Sequence, residues 1–106
     1  MATITEPTEL TAEERLWQAL ASIPPGSLIT YGQLAAAAGY PGRARWAGQM
    51  LSRLPADTRL PWHRVINASG CISFPPDSSS FERQSMALTT EGFDISPKGK
   101  VIVRKA

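Results

Sequence analysis

A chain of 106 residues and 11.5 kDa, 42% hydrophobic, has room for one core and a single domain, 1–106, and too little for two. Its one cysteine, Cys71, excludes an internal disulfide and a zinc site built from several thiolates, and no apolar run approaches the roughly 18 residues of a membrane span. The formal charge of +2 conceals a gradient, because residues 1–22 sum to −3 and residues 23–70 to +4, so the middle is either a solvated basic face or a surface that meets an acidic polymer.

The opening MATITEPTEL lacks the basic-then-apolar layout of a signal peptide. The cytoplasm is therefore the expected compartment, with residues 1–10 as a flexible lead. TAEERLWQALASI begins with a capping box, Thr11 as N-cap and Glu14 three residues on, and then aligns Leu16, Trp17, Leu20 and Ile23 on one face of a first helix. PPGSLI reads as a turn and a short extended segment. Thr30 can cap a second helix over YGQLAAAA, with Gly39 as its terminator. RARWAGQMLSRL predicts a third helix, 43–54, with Trp46, Met50, Leu51 and Leu54 apolar and Arg43, Arg45, Gln49 and Arg53 elsewhere on the wheel. Two short helices across a Gly-containing turn, the second basic, have the outline of a helix-turn-helix and equally of a generic αα-hairpin.

VINASGCIS reads as a strand followed by an Asn/Ser/Gly turn, and SSSFERQSMALTTEG as a fourth helix capped by serine and closed by Gly92. FDISPKGKVIVR predicts a hairpin around Pro97, Lys98 and Gly99, in the position of a wing. There are no repeats, and FPPDSSS is a loop too short to link domains. Between the third helix and the strand stands PWHRVI. Its histidine, between a proline-tryptophan pair and an arginine, looks like part of a site, but the indole of Trp62 is no nucleophile and its N–H only donates. An indole is either core filler or a broad π surface of the kind a base swung out of a duplex requires.

IPPGSLITYGQLAAAAGYPGRARWAGQML, LPWHRVINASG and LTTEG resemble, in order and spacing, the C-terminal DNA-binding domain of the O6-alkylguanine-DNA alkyltransferases, from about residue 10 to the end. The resemblance implies a mainly α fold with a small β-hairpin, a winged helix-turn-helix. The active-site motif of that family is Pro-Cys-His-Arg-Val; Trp62 in the cysteine position is the mark of the alkyltransferase-like proteins, which bind alkylated guanine and do not repair it. The chain is thus expected to be a non-enzymatic sensor with no catalytic residue, cofactor or metal. It would act as a monomer on double-stranded DNA containing O6-alkylguanine, associate with the nucleoid when bound, keep off membranes, and hand the lesion to nucleotide excision repair proteins.

Matching positions carry the expected roles. Tyr31, Trp62, His63, Val65 and Asn67 would form the lesion pocket, and Thr30, Tyr31, Gln33, Arg43, Ala44, Arg45 and Gly48 would contact DNA. Tyr31 would press on the phosphate 3′ of the target, and Arg45 would fill the gap in the base stack, a task suited to a flat guanidinium that stacks and donates. Gly48 either admits the DNA closely or packs a helix. His63, Arg64 and Glu91 match the relay that activates the cysteine; with no thiol to serve, they are expected to persist as a structural network, since removing one partner of a buried pair costs roughly 1–3 kcal/mol. The chain departs from the family at Leu54, where an asparagine is usual, and at SFPPDSSSF, which replaces a Gly-rich closing loop and implies a wider pocket. By that resemblance, a short acidic lead is expected in place of the alkyltransferases' N-terminal domain.

Two other classes stay open on the residues alone. One is an enzyme, either an alkyltransferase using Cys71 or a hydrolase using His63; Cys71, following Gly70 in an apolar stretch, is expected to be a small buried hydrophobe. The other is a winged-helix regulator, against which stand the small Ala44 and Gly48 on the presenting face.

Overall fold

A computed structural model describes residues 10–103; apart from Leu10, the expected flexible lead lies outside them. Helix α1, Ala12–Ala21, starts at the capping box, where Thr11 Oγ1 accepts from Glu14 N at 3.0 Å and Glu14 Oε1 from Thr11 N at 2.9 Å. Leu16 and Leu20 are fully buried and Ile23 nearly so, each worth about 1.5–3 kcal/mol of hydrophobic stabilisation; Trp17 only half joins them. Strand β1, Ile29–Thr30, runs directly into α2, Tyr31–Ala37. The turn from β1 into α2 is a second reciprocal box: Thr30 Oγ1 accepts from Gln33 N, and Gln33 Oε1 accepts from Thr30 N at 2.9 Å. Gly39, at φ +99°, ends the helix as expected.

Helix α3, Ala44–Leu51, is shorter at its C-terminal end than the predicted 43–54. Leu54 precedes Pro55, whose ring disfavours helical conformation in the residue before it, and Ser52 Oγ already donates to Gln49 O at 2.6 Å. The buried residues of α3 are Ala47 and Met50; Trp46 lies half-buried, edge-on to Tyr40 with ring centroids 5.3 Å apart. Helices α2 and α3 pack on one another. A 3₁₀ turn, Trp62–Arg64, then leads into β2, Val65–Ile66, which pairs in parallel with β1 in the register Ile29↔Val65 and Thr30↔Ile66. That pairing sets the start of α2 beside the Trp62 turn.

Helix α4, Ser79–Thr90, is capped by Ser78, whose Oγ accepts from Phe81 N, and Gly92 follows it at φ +102°. The expected hairpin is β3, Phe93–Ile95, against β4, Val101–Val103, antiparallel. Its turn depends on Gly99, at φ +95°, where an added Cβ would sit 2.9 Å from the Phe81 ring. Two apolar clusters result. One joins α1, α2, α3 and Val65; the other gathers Ile66, Ile72, Leu88, Phe93 and Val101 under the hairpin. Cys71 departs from expectation: it is half-buried, bridged by its backbone to Lys100 rather than packed as a core hydrophobe. Among the described residues, no helix is long and apolar enough to cross a membrane.

Candidate nucleic-acid interface and base pocket

A cavity of about 600 Å³ opens where the N-terminus of α2, the exposed face of α3, the Trp62 turn and the loop after β2 meet. Thr30, Tyr31, Ala44, Arg45, Gly48, Trp62 and Asn67 border it, so seven of the residues singled out from the sequence converge on one space. Its size lies within the roughly 300–1,000 Å³ of small-molecule sites. Among the described residues no carboxylate borders it, and Arg45 is the one charged side chain in its wall.

The indole of Trp62 is framed on several sides. Phe74 meets it edge-on with centroids 6.1 Å apart, the His63 ring stands perpendicular at 6.4 Å, and the Arg83 guanidinium lies 5.8 Å from its ring centroid. Tyr31 reaches across the cavity to Ser73, hydroxyl to hydroxyl at 2.7 Å. A Cβ added at Gly48 would meet the Tyr31 ring at 3.7 Å, an ordinary contact. Internal packing therefore does not demand glycine there, which favours close approach of a ligand over helix packing as the reason for it.

Four expected residues lie elsewhere. Val65 does not border the cavity, because its pairing with Ile29 turns it into the core, where it is 1% exposed. His63 does not border it either: its Nε2 is 2.7 Å from Glu91 Oε2. Gln33 spends its carboxamide oxygen on the α2 cap. Arg43 is exposed at the head of α3, outside the cavity. Asn67 does border it, with Oδ1 accepting from Ser69 N and Cys71 N at 3.0 Å each, so the carbonyl end of its amide is committed to the turn.

Behind the cavity the Trp62 turn is clamped from both sides. Glu91 receives Arg64 Nη2 at 2.7 Å, Arg64 Nε at 3.1 Å, His63 Nε2, and the backbone N–H of Gly26 at 3.0 Å. Arg64 Nη1 also donates to Ile23 O at 2.7 Å, tying the turn to the end of the first helical segment. Arg64 first, then the Gly26 amide and His63, hold the Glu91 carboxyl down to about 2 against the upward push of burial. From α4, buried Gln84 donates through Nε2 to both His63 O and Val65 O, at 3.0 and 2.9 Å.

Gln84, Arg83, Ser73 and Phe74 were not anticipated from the sequence. Gln84 falls four residues before Leu88 on the apolar stripe of α4, a polar residue on a buried face that could have signalled a clamp. Ser73 and Phe74 lie in what reads as a loop, with no periodicity to mark them. Among the described residues there is no cluster of His, Cys, Asp and Glu able to hold a metal.

Residues 11–93 match the family model of the 6-O-methylguanine DNA methyltransferase DNA-binding domain. The chain is 44% identical over 93 residues to a DNA base-flipping protein of Escherichia coli strain K12, covering 87% of this chain and 70% of that one. It is 41% identical over 81 residues to alkyltransferase-like protein 1 of Schizosaccharomyces pombe, covering 76% and 75%. A crystal structure of S. pombe Atl1 in complex with damaged DNA containing O6-carboxymethylguanine is similar at a TM-score of 0.75 and 35% identity, over 88% of each chain.

Proposed function

The chain belongs to the family of the 6-O-methylguanine DNA methyltransferase DNA-binding domain, and from that premise we propose that it is a non-enzymatic damage sensor that takes O6-alkylguanine out of duplex DNA into the cavity bordered by Trp62. The observation that carries this reading is Trp62 itself. At the position where the family's motif has its cysteine stands an indole, which cannot attack an alkyl carbon but presents an apolar π surface to a space of about 600 Å³. Relatives named for base flipping and an alkyltransferase-like relative crystallised on lesion DNA support it.

We assign the roles as part of the same proposal. Tyr31 and Gly48 face the incoming strand, Arg45 stacks into the gap that the rotated base leaves, and Arg43 and Thr30 meet backbone phosphates. His63, Arg64 and Glu91 hold the turn that presents Trp62. Once bound, the complex marks the site for nucleotide excision repair proteins.

An enzymatic role through Cys71 or His63 gains no support from geometry. Cys71 does not border the cavity, and its sulfur faces Ser69 O at 3.9 Å, while the His63 imidazole is turned to Glu91. The deciding experiment binds the protein to matched duplexes carrying guanine or O6-methylguanine at one position, with the methyl group labelled. Tighter binding of the methylated duplex with no label on the protein is expected. Label on the protein would overturn the non-enzymatic reading, and equal affinity for the two duplexes would overturn the sensor.

A further inference from the structure

The Trp62 ring borders a second, smaller cavity of about 110 Å³, which shares Leu51, Ser52, Trp62 and Phe74 with the first. Its remaining wall comes from the loop around Leu54–Thr58 and, on α4, from Ser80 and Arg83. At the roughly 30 Å³ that a water occupies in the liquid, it holds three or four heavy atoms. Among the described residues no carboxylate borders this space either, and the one charged group there is Arg83, an exposed side chain that forms no ion pair with a described residue. The Arg83 guanidinium rests 5.8 Å from the Trp62 ring centroid, and Nη1 donates to Ala56 O at 3.5 Å, the long limit of a hydrogen bond.

A cation without a counter-ion among the described residues, positioned by an aromatic face beside a small space lined in part by the hydroxyl-bearing Ser52, Thr58 and Ser80, is a receptor for an anion small enough to enter. The way in is set by the reading above, on which this inference rests: the O6 substituent of a flipped guanine meets Trp62, the residue common to both cavities. We propose that the small cavity is a subsite for the far end of that substituent and that Arg83 makes it selective for substituents ending in a carboxylate. A methyl group stops at Trp62. A chain two bonds longer passes along the indole toward Arg83, where a carboxylate gains a charge-assisted, bidentate partner that a neutral group of the same shape lacks.

The test compares matched duplexes carrying guanine, O6-methylguanine, O6-carboxymethylguanine and its neutral isostere O6-carbamoylmethylguanine. The wild-type protein is expected to bind the acid about fivefold more tightly than the amide, the scale of one partly exposed Arg–carboxylate pair. Arg83→Gln should bring that ratio to about one and leave the methylguanine-to-guanine preference in place. Ser80→Asp, which sets a carboxylate inside the same cavity, should turn the ratio below one, and it keeps the subsite testable if the Arg83 variant loses its helical circular dichroism. A wild-type ratio of one or less, or a ratio unmoved by either substitution, overturns the subsite while lesion binding stands. Equal affinity for methylated and unmodified duplex overturns the underlying reading and the subsite together.

Discussion

The indole of Trp62 is held at its edge by Phe74 and flanked by the perpendicular His63 ring, so its orientation is set by the protein itself. A ring fixed in this way offers stacking without first losing rotamer freedom, and aromatic stacking on a base is worth about 1–3 kcal/mol. Trp62→Ala is therefore expected to cut the preference for O6-methylguanine over guanine by about tenfold, measured by fluorescence anisotropy on paired duplexes. An undiminished preference would mean that the pocket does not use this ring. Glu91 works at the same scale but on stability. Its carboxyl is held at about 2 against an ordinary 4.5, so the folded state binds that proton less readily than the unfolded one. A lowered folded value stabilises fully above about pH 4.5 and loses that contribution as pH falls toward 2. Glu91→Gln should cost about 1–3 kcal/mol at neutral pH by leaving Arg64 without its counter-ion. Its urea midpoint should then fall less between pH 5 and pH 2 than that of the wild type; parallel curves would remove Glu91 from the acid response.

Helices α1, α2 and α4 begin at side-chain caps three residues from their partners, and these are the elements the sequence describes best: Thr11 with Glu14, Thr30 with Gln33, Ser78 with the amide of Phe81. A cap is a contact within one turn, so its grammar is written in adjacent residues. The C-terminal end of α3 is less legible, since its apolar positions continue past Leu51 while Ser52 and Pro55 stop the helix. The hairpin was visible in its alternation, but the reason for Gly99 was not. Its positive φ and the Phe81 ring at 2.9 Å from a would-be Cβ both exclude a side chain. Gly99→Ala should thus lower stability by about 1–3 kcal/mol, seen as a lower thermal midpoint, with loss of protection at the β3–β4 amides in hydrogen exchange. Unchanged stability would mean that the Phe81 ring yields and the turn tolerates the strain.

Over the whole molecule the charge gradient seen along the chain becomes a placement. The basic segment contains Arg43, exposed at the head of α3, and Arg45, on the wall of the large cavity, whereas Glu13 and Glu14 sit in the first turn of α1. Affinity for any duplex should fall as salt rises, because cationic contacts release counterions from phosphate. The ratio between lesion and undamaged DNA should hold, because stacking on Trp62 releases none. A ratio that collapses with salt, followed by titration at several potassium chloride concentrations, would place the discrimination in charge rather than in the pocket. The sequence by itself determined the capped helices, the hairpin, the basic middle and the motif in which Trp62 displaces a nucleophile, since each is a short-range pattern or a local choice of residue. Only the tertiary structure decided that Val65 turns inward, that His63 stays out of the cavity while keeping its expected partner Glu91, and that Ser73, Phe74, Gln84 and Arg83 reach Tyr31 and the Trp62 turn. Those outcomes follow from the parallel β1–β2 pairing and from α4 packing behind the turn, contacts between residues some 20 to 40 positions apart whose register no local pattern encodes.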